Sequence, residues 1–522
     1  MDANGNDNRD SRRKFLTHGA TLLAAGAALP ALPALAGHLR GSRAAEPAGL
    51  STLSTVERRN VNGAYSTAVL GDLRAAINAM MALPPEDPRN WYRQAMIHVL
   101  DCPHGNAWFF PWHRGYLYWF ECIARKLLMK PSFALPYWDW TSASDMPAAF
   151  FRGDLLDTRA TGFIHDFPTF NDKFRGPMET FWSKLNNNQR NALNQRGMDT
   201  FEKFWSAVHI YFSRGTGRKF GPDNRGLTGD ALEAVSLPIL TNALAPSTFE
   251  EFGGSMVDQH NAMGGSPGMV ESQPHNLVHE AIGGYMGDFM SAADPVFWLH
   301  HCNIDRLWDI WMERKGWHGQ DGSAAWRNEP FLFFSDENGE AVNGITRDYV
   351  SSSELSFAFE ASAPIPSAPA RPGNAAWPAM IPCTLQSSDL KIDGAVTASV
   401  DPGLAACDAF RNNCQTALLI DMDRPDDQNN WRFTIEVKVD GGAPYTFKHC
   451  GRTGFFGTMG AMGPGRLHRG QLKVGIASGI SNCLTEAGPG AHKFTVRVRA
   501  KSVGNSSSAA VLKVYKVTLV SV

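Results

Sequence analysis

The sequence predicts a mainly α domain built on a four-helix bundle, followed by an all-β C-terminal domain of the sandwich or barrel kind. Three observations carry this expectation. Apolar residues recur at three and four in LGDLRAAINAMMAL (70–83), NWYRQAMIHVLD (90–101), RGYLYWFECIARKLL (114–128) and HCNIDRLWDIWMERKGW (301–317), the period of helices with one buried face. In the last third the period becomes two: ALLIDM, WRFTIEVKVDG, KFTVRVRAK and AVLKVYKVTLVSV alternate, are rich in β-branched residues and are separated by Gly, Asn and Pro. Between the two regimes, ASAPIPSAPARPGNAAWP follows neither period and reads as a Pro/Ala linker.

Taken in order, the chain opens with SRRKFL at 11–16, an Ala-rich apolar run from Gly19 to Leu35 and a closing Ala34-Leu35-Ala36. This three-part pattern predicts a twin-arginine signal peptide over residues 1–36, removed after Ala36. Pro30 and Pro33 interrupt the run, which is too weakly apolar to anchor in a membrane. That export route carries folded proteins and implies a bacterial source with a periplasmic or secreted destination. The helical domain is expected over 46–360, with a looser, Asn- and Gly-rich stretch at 150–250 that holds one helix candidate, GMDTFEKFWSAVHIYF. The linker is expected at 361–380 and the antiparallel β domain at 381–522.

A net charge of −2 and a pI near 6.8 supply no basic field, so neither nucleic acid nor an anionic membrane is expected as a partner. Self-association is left open. Of the eight cysteines, Cys102, Cys122 and Cys302 fall in the helical region, and Cys383, Cys407, Cys414, Cys450 and Cys483 fall in the last third. An oxidising compartment permits disulfides among those five, but the odd number leaves at least one out and sequence alone does not pair them.

The chemistry is concentrated in three phrases, HGNAWFFPWH (104–113), PHNLVH (274–279) and DPVFWLHHCNID (294–305), which hold six of the sixteen histidines. His275 and His279 are four apart, so on a helix their rings project from one face a turn apart. His301 supplies a third imidazole after a turn through Gly283-Gly284 and Asp294-Pro295. His98, His104 and His113 form an earlier triad. Imidazole sets without thiolate or carboxylate suit copper, zinc, nickel or iron, and three nitrogens per ion leave positions open for an exogenous ligand.

At these residues the chain resembles the type-3 copper family of tyrosinases, catechol oxidases and haemocyanins. The family's D-P-x-F, His-His and following Asp are matched by Asp294, Pro295, Phe297, His300, His301 and Asp305. MGDFMSAADPVF at 286–297 and WRFTIEVKVDG in the last third resemble plant polyphenol oxidases in particular. The resemblance implies two copper ions held by His98, His104, His113 and by His275, His279, His301, with His300 and Asp305 in supporting positions. Asp305 could instead pair with Arg114 or Arg306.

It also implies a function: oxidation of o-diphenols to o-quinones and o-hydroxylation of monophenols by dioxygen, which needs two one-electron ions acting together. Small phenols and dioxygen are then the partners. Glu271 and Asn276 match the pair that holds a proton-accepting water in the family, although Asn276 could equally cap a helix and Glu271 could be a loop carboxylate. Cys102 stands two before His104, the spacing at which relatives form a thioether to a ligand histidine; a buried thiol is the alternative. Phe289 matches a gate over one copper, and Glu280 matches an entrance position, where a carboxylate would disfavour tyrosine's own carboxylate. The C-terminal domain is expected to act as a lid, with Phe456 of the Gly-rich loop 451–466 filling the phenol pocket. Competing readings are a catechol or o-aminophenol oxidase without hydroxylation, a haemocyanin-like dioxygen carrier, and a zinc hydrolase. The last is disfavoured because dinuclear zinc sites favour bridging carboxylates.

Overall fold

Helix boundaries in the first part of the chain are set by caps as much as by the apolar period. The computed structural model describes residues 55–213, 215, 217–262, 267–367, 380–391, 393–401, 403, 407, 416–423, 431–439, 446–449, 469–475, 484, 487–502 and 511–521. The signal segment, most of the linker and the loop bearing Phe456 lie outside these residues. A short strand β1 (Val56–Arg58) leads into α1 (Ser66–Met81) and α2 (Trp91–Asp101). Asn90 caps α2, its side chain accepting from Tyr92 N at 2.9 Å. Helix α3 (Phe109–Leu128) starts five residues before the periodic stretch because Pro111, lying in its first turn, costs no hydrogen bond.

The stretch expected to be loose is instead helical in good part. It carries α4 (Phe167–Ser183), α5 (Asn187–Gln195) and α6 (Phe201–Ser213), then the short α7 (Gly229–Ala234), α8 (Leu237–Ala243) and α9 (Phe249–Gly253). The physical reason for α5 is local: Asn186 and Gln189 form a capping box that starts a helix from an otherwise Asn-rich sequence. A π-helical turn at Glu271–His275 leads into α10 (Asn276–Ile282), and α11 (Pro295–Lys315) follows. Asp294 caps α11 through Val296 N at 2.9 Å with Pro295 in the first turn, so His300 and His301 lie well inside a helix. The segment after it carries α12 (Ala324–Arg327), the paired strands β2 (Pro330–Phe331) and β3 (Gly344–Ile345), and β4 (Phe357–Phe359), which pairs in parallel with β1. Among the described residues no helix is long and apolar enough to cross a membrane.

One hydrophobic core runs from Val61 to Ile365 and is dominated by aromatics. Helix α3 packs on α1 and α11, and Phe120 of α3 stacks on Trp298 of α11 with ring centroids 3.9 Å apart. The same helices share a buried ion cluster. Arg58 meets Glu121 at 2.9 Å and Asp305 at 2.7 Å, and Arg114 meets Asp305 at 2.6 Å and Asp309 at 3.2 Å. Asp305 therefore joins β1, α3 and α11. It is engaged by Arg114 and Arg58 rather than Arg306, and it is neither on the surface nor shown bonding a ligand imidazole.

The last third has its own apolar core, from Cys383 to Val517. Its strands are β5 (Met380–Leu385), β6 (Asp389–Lys391), β7 (Ala395–Val400), β8 (Thr416–Asp423), β9 (Trp431–Val439), β10 (Thr446–His449), β11 (Arg469–Gly475), β12 (Phe494–Ser502) and β13 (Val511–Ser521). They pair antiparallel in the order β10-β9-β12-β7-β5-β13-β8-β11, with β6 on β13. In β12, Phe494, Val496, Val498 and Ala500 are buried on one face, as the alternating pattern requires. Strand β11, at the end of this order, runs beside the π turn at Glu271–His275.

Asp305→Ala is expected to lower unfolding free energy by about 3 kcal/mol, because it strips one partner from two buried guanidiniums. Urea denaturation measures this, and a loss under about 1 kcal/mol would show that Glu121 and Asp309 suffice.

Candidate metal centre

Each of the six histidines is brought inward by a distinct local device. His98 lies in the last turn of α2, which ends at Cys102 because the following Pro103 forces that residue into an extended conformation, ψ 119°. The chain then carries His104 into the interior and turns at Gly105, where φ is +70°. That turn aims the Gly105 amide at the buried Glu271 carboxylate, 2.7 Å away. His113 sits in the second turn of α3. The π turn followed by α10 places the His275 and His279 rings 4.5 Å apart, and α11 brings His301 to them.

The hydrogen bonds fix which nitrogen is free. Nδ1 of His98 faces the Phe289 carbonyl at 2.9 Å, that of His113 the Phe109 carbonyl at 2.7 Å, and that of His279 the Met286 carbonyl at 2.6 Å. Nδ1 of His275 faces the Asn276 side-chain oxygen at 2.8 Å. Oxygens of this kind only accept, so each Nδ1 carries the proton and each Nε2 presents a lone pair. The Nε2 atom of His98 is buried with no hydrogen-bond partner. Nε2 of His301 lies 3.3 Å from that of His275 and 3.1 Å from that of His279. Three nitrogens set tetrahedrally at the usual metal–nitrogen length of about 2.0 Å would be about 3.3 Å apart. Burial holds all six imidazoles below their ordinary value, His113 down to about 3 and His279 down to about 4, so they are neutral donors.

The two triads adjoin. His113 stacks on His301 with centroids 4.3 Å apart, and His104 lies 5.6 Å from His275. Two further side chains are close enough to compete as ligands, Cys102 in the first group and His300 in the second. Burial pushes the Cys102 thiol well up. Its sulfur is 3.4 Å from His104 Nδ1, 3.9 Å from His104 Nε2 and 3.3 Å from His113 Nε2. His300 accepts the Trp140 indole N–H on Nδ1 at 3.1 Å, which leaves its proton on Nε2 and removes that lone pair. Its ring stacks on His275 and abuts His279 without replacing either.

Other residues singled out in the sequence fall around this centre. Asn276 does not cap α10 with its side chain; its oxygen holds His275 instead. Phe289 is buried with its ring 5.6 Å from His98 and 5.5 Å from His104. Glu280 is half-buried, and the Lys219 ammonium donates to its backbone carbonyl at 2.9 Å.

Comparison with known proteins gives the geometry a family. Residues 84–314, which contain all six histidines, match the model described as the common central domain of tyrosinase. Residues 84–314 belong to the tyrosinase family. The chain is similar to the latent chloroplastic polyphenol oxidase of Prunus armeniaca, 31% identical over 302 residues, covering 53% of this chain and 44% of the relative. It is also similar to a tyrosinase of Hahella sp. (strain CCB-MM4), 30% identical over 334 residues, covering 57% and 62%. The matched region thus spans about half the length of these curated relatives. In fold it is similar to a latent aurone synthase (polyphenol oxidase), TM-score 0.56, 22% identical, covering 90% of this chain and 91% of the other. It is likewise similar to latent apple tyrosinase, TM-score 0.55, 19% identical, covering 90% and 98%.

Behind the tyrosinase-family centre is a polar cluster that sequence patterns do not reveal. His260 is buried between Asp101, 2.9 Å from Nε2, and Glu329, 2.6 Å from Nδ1. Asp101 also accepts from the Trp112 indole at 3.0 Å and from Asn261 at 3.0 Å. The partners are 69 and 159 residues from His260, so no spacing rule could have joined them. Burial alone would lower the His260 imidazole, but the carboxylates of Asp101 and Glu329 outweigh it and raise it to about 9.

The folded value lies above the ordinary 6.5, so the stability this group contributes is complete below about pH 6.5 and lost as pH rises through about 9. His260→Gln is expected to flatten the wild-type decline in unfolding free energy between those values, and parallel profiles would refute it. His301→Ala is expected to lose at least half of the bound copper under conditions where His300→Ala retains it, as read by elemental analysis. The reverse order would exchange their roles.

Proposed function

We propose that the chain is a copper-dependent phenol oxidase that converts o-diphenols to o-quinones and also hydroxylates monophenols, using dioxygen. The observation that carries this is the pair of adjoining triads of buried, neutral imidazoles, with lone pairs converging at metal-ligand spacing. The donor set fits two copper ions, one on His98, His104 and His113 and the other on His275, His279 and His301. When bound, the two ions would supply the paired one-electron changes that dioxygen reduction requires.

The protein's own residues hold, orient and exclude. The four oxygens on Nδ1 fix ring orientation, and Phe109, Phe289 and Phe297 pack against the imidazoles as an aromatic shell. Glu271 is the base for a monophenol proton, whose ordinary pKa is about 10. Its buried carboxylate is steadied by Gly105 N. Because the Asn276 oxygen is taken by His275, a water shared with Glu271 would be met by the amide nitrogen. Cys102 is proposed as the thioether partner of His104, the thiol and a ring C–H giving up two protons and two electrons to dioxygen as the C–S bond forms, which would lock that ring. Phe289 is the gate, and Glu280 with Lys219 forms the entrance.

The C-terminal β domain is proposed as the lid, a reading supported by β11 beside the Glu271–His275 turn. The twin-arginine leader is proposed to export the folded protein.

Metal analysis and an oxygen electrode with catechol test the core reading: copper-dependent oxygen uptake is expected, and binding without turnover would indicate a carrier. Glu271→Gln is expected to reduce monophenol hydroxylation at least about tenfold more than diphenol oxidation, because only the former needs a base of this kind. Equal losses on tyramine and dopamine would make Glu271 structural.

A further inference from the structure

On the side of α2 away from the metal centre is a cavity of about 180 Å³. Ile97, Leu100, Met178, Phe181, Leu332 and Phe333 supply its apolar wall, and Arg93 is its one charged lining residue. Arg93 is only 7% exposed. Its Nη1 donates to the Pro85 carbonyl at 3.2 Å and its guanidinium lies 5.2 Å from the Phe181 ring centroid. Among the described residues it has no carboxylate within ion-pair distance. The nearby Asp87 is committed to Arg89, through contacts of 3.0 and 2.7 Å. Asp87 and, less strongly, Glu86 still act on Arg93 through space, without direct contact. Burial accordingly pushes the Arg93 guanidinium down to about 10.

A buried guanidinium with no carboxylate in direct contact is costly, and its planar fork matches a carboxylate. A dry cavity of about 150 Å³ can hold a benzene ring, so the volume here admits one six-membered ring and a carboxylate. We propose that this cavity binds a small monocarboxylate bearing a single six-membered ring, with the carboxylate on Arg93 and the ring against Phe181, Leu100 and Met178. The site is separate from the metal centre and does not depend on the reading of that centre. It is built on α2, whose other face carries His98, so occupancy would brace the helix that positions that imidazole.

Calorimetric titration of the copper-loaded full-length protein with cyclohexanecarboxylate tests the proposal, with cyclohexylmethanol as the neutral control. The acid is expected to bind at least about tenfold more tightly than the alcohol, the share of a charge-assisted pair. Arg93→Met should abolish that preference. Ala341→Trp, at an exposed position on the cavity lining, should weaken binding of both compounds by blocking entry, and it serves if Arg93→Met does not fold. No binding to the wild type, equal affinity for acid and alcohol, or unchanged acid affinity in the folded variants would overturn the proposal. The last result would place the acid on the metal ions instead.

Discussion

The structure turns on a set of buried imidazoles whose protons are pinned on Nδ1 by fixed oxygens. Each such bond satisfies one ring nitrogen and commits the other to offer a lone pair to the interior. Lone pairs brought together in a buried site repel one another. A cation bound by several imidazoles at once removes that conflict, so metal binding and stability of the core are coupled. The carbonyls of Phe289 and Met286 belong to the irregular stretch between α10 and α11, which explains why a segment with little regular structure is mostly buried.

The helices supply the rigidity that this arrangement demands. Helices α3 and α11 are joined by aromatic stacking and by the ion pairs of Arg58, Arg114, Glu121 and Asp305. The same cluster reaches β1, and β1 pairs with β4, so the chain before and after the helical core closes on itself. Arg306 and Arg314 then tie the first linker residues to α11, through Ser362 at 2.5 Å and the Ile365 and Pro366 carbonyls. The route from the metal centre to the C-terminal domain therefore begins along the helix that carries His301.

Much of this was legible in the sequence, for reasons that differ by residue. His275 and His279 are readable because helical geometry is encoded at a spacing of four, and the alternation of β12 is readable because strand geometry is encoded at two. Helix starts were misplaced where a cap or first-turn proline outweighed periodicity, as at Asp294-Pro295 and Pro111. Helices α4 and α5 were missed because their polar composition hides signals that lie in single caps, Asp166 and the Asn186–Gln189 box. Contacts between distant residues left no trace: Asp305 meets an arginine 247 residues away, and His260 meets Asp101 across 159. The choice of His301 over His300 is implied by family resemblance, and its physical basis, the Trp140 indole on His300, is visible only in three dimensions.

The most direct test of the central claim is X-ray absorption on the copper-loaded full-length protein, with the metal content of the same sample counted. The account predicts two copper ions per chain, each with nitrogen neighbours at about 2.0 Å and no sulfur neighbour. One ion per chain, or a copper–sulfur distance of about 2.3 Å assigning Cys102 as a ligand, would contradict it.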